Sequence, residues 1–355
     1  MPRFAPRLLE DVRKKMAGKP PGLLDMPPTV IQNIAEFVGF PGVQNMRKVC
    51  GRLLHILNSY PPALSLESVH ISMPQFKYEA IYTISDKMYT ESSITTRYRP
   101  YCVGATVQQA SSLQDRPAKD LRRKRAVTLF CNDLILNLFK HKAKIDKFTF
   151  AFDCKKKRKK FLETFPTLLR PEHQIKVESF EMIIYKKEDI FSILPYCNPN
   201  VIKVIKFGKV HYRSIFDRRE LTFKDKDVDR LAALECWKKA EKIRIYDNIS
   251  VESSESLRHF HHFKMISLRV EWLMLDDLIR LKKAMKKPNS KLRSATVSYN
   301  HFVNLDYFKE ILGPYGNPWH FDVQNLKFIV EVSSYHICID RVKKFPKRVI
   351  VSHKF

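Results

Sequence analysis

Glycine is scarce in this 355-residue chain, at 9 positions, against the roughly 7% usual for globular proteins. Few glycines mean few left-handed turns and few places where backbone can approach a phosphate closely. There is no Gly-x-Gly-x-x-Gly, and neither Gly18-Lys19 nor Gly208-Lys209 is followed by Ser or Thr. Dinucleotide and P-loop sites are therefore not supported. His-Glu-x-x-His and Gly-x-Ser-x-Gly are also missing, which removes two common hydrolase signatures. The seven cysteines (50, 102, 131, 154, 197, 236, 338) are odd in number, scattered, and never Cys-x-x-Cys. That argues against a disulfide framework and suits a reducing compartment, cytoplasmic and/or nuclear. No run reaches the ~18–20 apolar residues that cross a bilayer. The longest, 127–139, is interrupted by Asn132, Asp133 and Asn137 and suits a buried or amphipathic helix. Residues 1–22 form a basic extension without an apolar core, unlike a secretory signal.

Two short clusters imitate metal sites and fail. Asp225-x-Asp227-x-Asp229 starts like a calcium loop, but Arg230 stands where glycine is needed and Cys236 where the bidentate glutamate is needed. Those carboxylates read as the first turn of a helix, where negative charge meets the positive dipole end. His259-Phe260-His261-His262 has no cysteine or carboxylate pair at ligand spacing. The expectation is no catalytic residue, no metal and no cofactor.

What the chain has in excess is positive charge. Lys+Arg is 64 and Asp+Glu 37, for a net +27, with 44% hydrophobic residues. The apolar content is enough for a sizeable core, and the length allows two or three domains.

Residues 23–62 read as a small helical module. Pro27-Pro28 suits a helix start, where first-turn N–H groups lack intrahelical partners. Val30, Ile31, Ile34, Phe37 and Val38 form a helical stripe, Gly39-Phe40-Pro41-Gly42 breaks it, and Met46, Val49, Cys50, Leu53, Leu54 and Leu57 form a second. Such a module either packs on its own chain or offers its apolar surface to a partner. Leu24-Asp25-Met26-Pro27-Pro28, then Val30-Ile31 and Ile34, then Arg47-Lys48-Val49-Cys50, resemble an F-box. The resemblance implies binding to a Skp-type adaptor, and through it to a cullin-based ubiquitin ligase. It places adaptor contacts at Met26, Pro27, Val30, Ile31, Ile34, Val49, Cys50 and Leu53. Met26 replaces the usual Leu, Thr29 a frequent Glu, and Leu53 a frequent Trp.

Beyond it an apolar-x-x-apolar-x-apolar pattern recurs six times: Ile145/Phe148/Phe150, Val177/Phe180/Met182, Ile202/Ile205/Phe207, Ala240/Ile243/Ile245, Phe263/Ile266/Leu268 and Leu292/Ala295/Val297. Successive starts are 32, 25, 38, 23 and 29 residues apart. Helix-like stretches fall between them at 159–169, 188–194, 227–240 and 275–286, with another at 305–312. The fold class expected is α/β: a small N-terminal helical module, then an irregular leucine-rich-repeat-like β/α solenoid. A plain α/β layer fold shares the parallel sheet. Residues between the apolar positions then face the concave side: Thr149, Glu181, Lys206, Arg244, Ser267 and Thr296, flanked by Lys242, Tyr246 and Arg269. Lys206, Lys242, Arg244, Tyr246 and Arg269 are the candidate client-binding residues. They suit an acidic or phosphorylated protein partner, or they are ordinary solvated strand positions.

Ile193-Leu194-Pro195-Tyr196, Leu234-Glu235-Cys236-Trp237-Lys238-Lys239-Ala240, residues 259–263, and Asp276-Asp277-Leu278-Ile279-Arg280-Leu281-Lys282 resemble the FTH domain of nematode F-box proteins (F-box A type) over roughly residues 175–315. The stretch before it, including 69–71, 79–84 and Cys102-Val103, is similar to the segment that links the two modules in that family. The resemblance implies a substrate-recognition module.

The expected organisation is an extension (1–22), an F-box (23–62), a strand-rich connector with a basic linker at 104–125 (63–125), and a β/α repeat region (126–355). Two basic runs stand out: residues 121–125, and Lys155, Lys156, Lys157, Arg158, Lys159 and Lys160. Each suits a nuclear import signal, a phosphate-backbone contact, or an exposed loop leading into a helix. Three functions fit. The first is a non-enzymatic substrate adaptor for ubiquitin-dependent degradation, with catalysis by its partners. The second is a basic nuclear RNA- or DNA-binding protein. The third is an F-box scaffold without ubiquitylation.

Overall fold

The structure is a computed structural model. It describes residues 22–74, 79–87, 93–101, 104–111, 117–122, 125–138, 143–152, 154–169, 174–209, 221–246, 249–287, 289–303, 319–323, 326–332 and 336–343. The extension up to residue 21, the Cys102-Val103 pair, Arg123 and Lys124 of the first basic run, and the 305–312 stretch lie outside the described residues.

Among the described residues three α-helices come first: α1 (Pro28–Phe37), α2 (Gly39–Val49) and α3 (Gly51–Ser59). Pro28 sits at the first helical position, where its missing N–H removes nothing. The Gly39–Gly42 stretch was expected to break the first helix, and α1 does end at Phe37, with the stretch itself forming the first turn of α2. The reversal is at Gly39, whose φ of 64° is left-handed and costs a glycine little. Gly42 also needs to be small, because a Cβ there would fall 2.5 Å from Val38 Cβ. The second stripe, expected as one helix, divides at the extended Cys50. Phe40 N–H donates to Asp86 Oδ2 at 2.5 Å, which ties α2 to the sheet behind it.

Among the described residues that sheet holds sixteen strands: β1 (Ser65–Met73), β2 (Ala80–Asp86), β3 (Ser93–Tyr101), β4 (Gly104–Ser111), β5 (Lys119–Arg122), β6 (Lys144–Phe152), β7 (Lys176–Ile184), β8 (Val204–Lys209), β9 (Leu221–Phe223), β10 (Lys242–Ile245), β11 (Ile249–Ser253), β12 (Met265–Met274), β13 (Ser294–Val303), β14 (Trp319–Val323), β15 (Leu326–Val332) and β16 (His336–Lys343). The order is β14-β15-β16-β13-β12-β10-β8-β7-β6-β1-β2-β3-β4-β5, with β9 and β11 branching from β12. From β1 to β13 the main path is parallel, and its strands follow one another in chain order. Antiparallel strands flank it on both sides. The protein is thus mixed α/β around one large, mostly parallel sheet.

The six repeated segments share one register. Phe148 pairs with Phe180, Phe180 with Ile205, Ile205 with Ile243, Ile243 with Ile266, and Ile266 with Ala295. All of these are at most 3% exposed. A further segment, Leu66/Val69/Ile71 in β1, has the same spacing and continues the rows against Ile145, Phe148 and Phe150. The 104–125 stretch was expected as an exposed linker, and most of it instead forms β4 and β5. The buried residues of β4 are small, Ala105 on one face and Ala110 on the other, so the alternation carried little hydrophobic signal.

Helices α4 (Ala126–Leu138), α5 (Lys155–Leu168), α6 (Asp225–Ala232), α7 (Glu235–Lys239) and α8 (Leu275–Lys286) bury apolar side chains in the core. Phe161 of α5 lies 5.2 Å from Phe152 and stacks on Phe165 at 4.9 Å between ring centres. The 227–240 stretch, expected as one helix, is α6 and α7. At the start of α6 the Lys224 N–H donates to Asp227 Oδ2 at 3.0 Å, and Lys187 pairs with the same carboxylate.

Trp237 of α7 meets Phe260 and Phe263 edge-on, at 5.4 and 5.2 Å, and its indole N–H donates to the His259 carbonyl. His262 reaches the Trp237 carbonyl at 2.9 Å, and His261 Nε2 is buried with no hydrogen-bond partner among the described residues. Burial lowers both histidines below their ordinary 6.5, and Lys287 and His259 push His261 further the same way.

Phe180→Ala should destabilise the fold by about 3–5 kcal/mol, since its row continues unbroken on both sides; urea unfolding measures it. A histidine held neutral in the fold but protonated in the unfolded chain favours unfolding in acid. Stability should therefore be full above pH 6.5 and fall as the pH drops below it, and His261→Gln should reduce that fall in a thermal melt.

Candidate functional site

Two surfaces carry the residues singled out in the sequence. The first is the sheet face opposite the core helices. Thr149 pairs with Glu181, Glu181 with Lys206, Lys206 with Arg244, Arg244 with Ser267, and Ser267 with Thr296. His70 extends this row through Thr149, and Cys338 through Thr296. Lys242 and Tyr246 lie two residues to either side of Arg244, and Arg269 lies two past Ser267. Because side chains alternate along a strand, all five candidate client-binding residues share this face.

Their surroundings are less uniformly basic than the composition suggests. Tyr246 O–H donates to Glu181 Oε1 at 3.3 Å, and the Arg244 guanidinium lies 4.9 Å from the Tyr246 ring centre. Burial and the neighbouring Glu181 raise the Tyr246 phenol above its usual value. Lys147 reaches Glu181 Oε2 at 3.5 Å. Arg269 donates to Asn300, Asn300 to Glu271 at 2.7 Å, and Ser250 to the other Glu271 oxygen at 2.6 Å. Arg269 is thus held inside a polar network, while Lys242 and Arg244 are exposed. The face is a basic band crossed by two carboxylates. It offers charge and hydrogen bonds at strand spacing, which suits a polypeptide with acidic groups.

The second surface is the helical module. Its expected contact residues divide by burial. Pro27, Val30 and Val49 are exposed, Val49 at 71%. Met26, Ile34 and Cys50 are half-buried. Ile31 and Leu53, expected at the docking surface, are 0% and 2% exposed and sit in the chain's own core. The reason is helical phase: Ile31 lines up with Ala35, also fully buried, so this row faces inward. Phe37 and Leu54, members of the sequence stripes outside the expected contact set, are 72% and 40% exposed. The module therefore presents apolar surface beyond that set.

The run at 155–160 is the first turn and a half of α5 rather than a loop. Lys155, Lys156, Lys159 and Lys160 are exposed. Lys157 donates to the Glu79 carbonyl at 3.1 Å. Arg158 turns inward to Asp189 at 2.9 Å, and both are buried. Its guanidinium lies 4.5 Å from the Tyr185 ring centre, and Asp189 also accepts the N–H groups of Tyr185 and Lys186. Burial raises the Asp189 carboxyl, while these donors pull it back. Two of the six cations thus serve the fold, and no sequence signal separates them from the other four.

Burial pushes the Cys131 thiol up to about 12 and the Cys236 thiol to about 11, so neither is an activated thiolate. His259 pairs with Asp229 at 2.8 Å, and His262 is engaged by Trp237. Among the described residues no helix is long and apolar enough to cross a membrane.

No curated protein and no solved structure matched the chain. A family model did: the FTH domain, over residues 159–315. Its boundary falls within α5, earlier than the expected start near 175, and it takes in the parallel strands β7, β8, β10, β12 and β13. An FTH domain occupies residues 159–315.

Proposed function

We propose that the chain is a non-catalytic substrate-recognition adaptor. In this reading residues 23–62 are an F-box that binds a Skp-type adaptor, and through it a cullin-RING ubiquitin ligase. The parallel array is an irregular leucine-rich-repeat-like solenoid that holds a protein client on its open face. The observation that carries the reading is the FTH domain, of a family associated with F-box proteins, downstream of a helical module that exposes Pro27, Val30, Phe37 and Val49. Exposed apolar side chains of this size on a small unit suit burial by a partner. Catalysis then belongs to the partners, and this chain contributes proximity and orientation. The compartment proposed is the cytoplasm and/or nucleus.

Burial decides which substitutions test this. Val30→Asp/Val49→Asp should abolish co-purification with a Skp-type adaptor while leaving circular dichroism unchanged, because both side chains are exposed. Ile31→Asp should instead destabilise the module by several kcal/mol, on the order of 3 or more, since it buries a charge without a partner. Adaptor binding that survives the double substitution would sink the reading.

Charge reversal at Lys206 and Arg244 addresses the client face. Their substitution by Glu should shift stability by no more than about 0.5 kcal/mol. It should release acidic client proteins recovered by affinity capture and mass spectrometry, and leave the adaptor bound. Clients retained unchanged would place recognition elsewhere.

A further inference from the structure

Between α2 and α3 on one side, and β2–β4 and α4 on the other, lies a cavity of about 480 Å³. That is within the ~300–1,000 Å³ of small-molecule sites. Phe40, Tyr82, Ile94, Val107 and Leu136 give it an apolar lining. Its distinguishing group is Arg47. One terminal nitrogen of Arg47 donates to Asn58 Oδ1 at 2.7 Å and the other to Asn137 Oδ1 at 3.4 Å. Asn137 also accepts from Gln44 at 3.1 Å and donates to the Tyr82 hydroxyl at 3.0 Å. The guanidinium is therefore fixed at the cavity wall before any ligand arrives.

Arg47 Nε is buried and has no hydrogen-bond partner among the described residues. A buried charged donor without an acceptor is costly. That Nε edge is closed to a ligand, so an anion in the cavity meets the terminal N–H groups of Arg47, which lies in the lining beside Lys48. The other charged lining groups are Lys48, 3.2 Å from Gln109 Oε1, and Asp133, which accepts the Tyr98 hydroxyl at 2.5 Å. Two cations and one carboxylate leave the lining positive.

We propose that this cavity binds a small organic acid, its carboxylate end-on to the terminal N–H groups of Arg47 and a flat apolar body against Tyr82, Ile94 and Val107. The ligand would bridge the helical module and the β2–β4 strands, so it would stabilise their mutual arrangement. The proposal does not depend on the adaptor reading.

The test is calorimetric titration and thermal melting of the full chain with 2-naphthoate, its neutral counterpart 2-naphthamide, and acetate. The expected result is one site for 2-naphthoate with a raised melting temperature, and binding of 2-naphthamide weaker by about tenfold or more. Acetate, which lacks the apolar body, should bind more weakly still. Arg47→Gln should bring 2-naphthoate down to the level of the amide. Leu54→Trp, a partly exposed position lining the cavity, should block both. No binding of 2-naphthoate, equal affinity for the amide, or full binding to Leu54→Trp would each overturn the proposal. If Arg47→Gln does not fold, the acid-against-amide comparison on the unaltered chain decides.

Discussion

A one-residue slip between two neighbouring strands would turn every side chain of one of them to the wrong face. Everything else in this protein depends on avoiding that slip along the whole parallel array. The apolar rows through Phe148, Phe180, Ile205, Ile243 and Ile266 fix the register, because a shifted strand would expose its apolar residues and bury charge. The same constraint puts Glu181, Lys206 and Arg244 in line on the other face. Core packing and surface chemistry are two results of one alignment. The uneven spacing between repeats is absorbed in the connections, which vary from long helices to single turns, and not in the strands.

The net charge of +27 is not one patch. Some of the 64 lysines and arginines lie in pairs that add nothing to it, Arg158 with Asp189 and Lys187 with Asp227. Others stand on the strand face beside Glu181 and Glu271. The lysines left exposed at the start of α5 sit at the unfavourable end of a helix dipole, and Arg158 inside that turn is anchored by a buried pair. Breaking such a pair leaves a buried charge alone, which is severe even where the pair itself adds little net stability.

The repeat rows and the face beneath them were legible because strand alternation is short-range and each segment states it in six residues. The helix at Leu275–Lys286 was equally plain, its two aspartates at the start and its stripe agreeing on both ends. What sequence could not give was phase against the rest of the chain. Ile31 and Phe37 belong to the same apparent stripe, yet one is fully buried and the other 72% exposed. Only the position of the sheet behind the module decides between them. The β4–β5 hairpin was lost for a different reason: alanine on a buried face looks like linker composition. Arg158 was indistinguishable from five neighbouring cations because its partner, Asp189, lies 31 residues away.

Among the described residues the sheet ends on one side in β5, a strand of four residues, Lys119 to Arg122, paired with β4. Lys119 and Asp120 are exposed. A parallel stack of similar units has no intrinsic reason to stop, and its last open edge would be a template for another chain. A short strand that alternates in direction and carries both signs of charge is a poor template. The antiparallel strands β2–β5 thus cap the parallel array, and leave a repetitive sheet with a poor starting edge for a polymer.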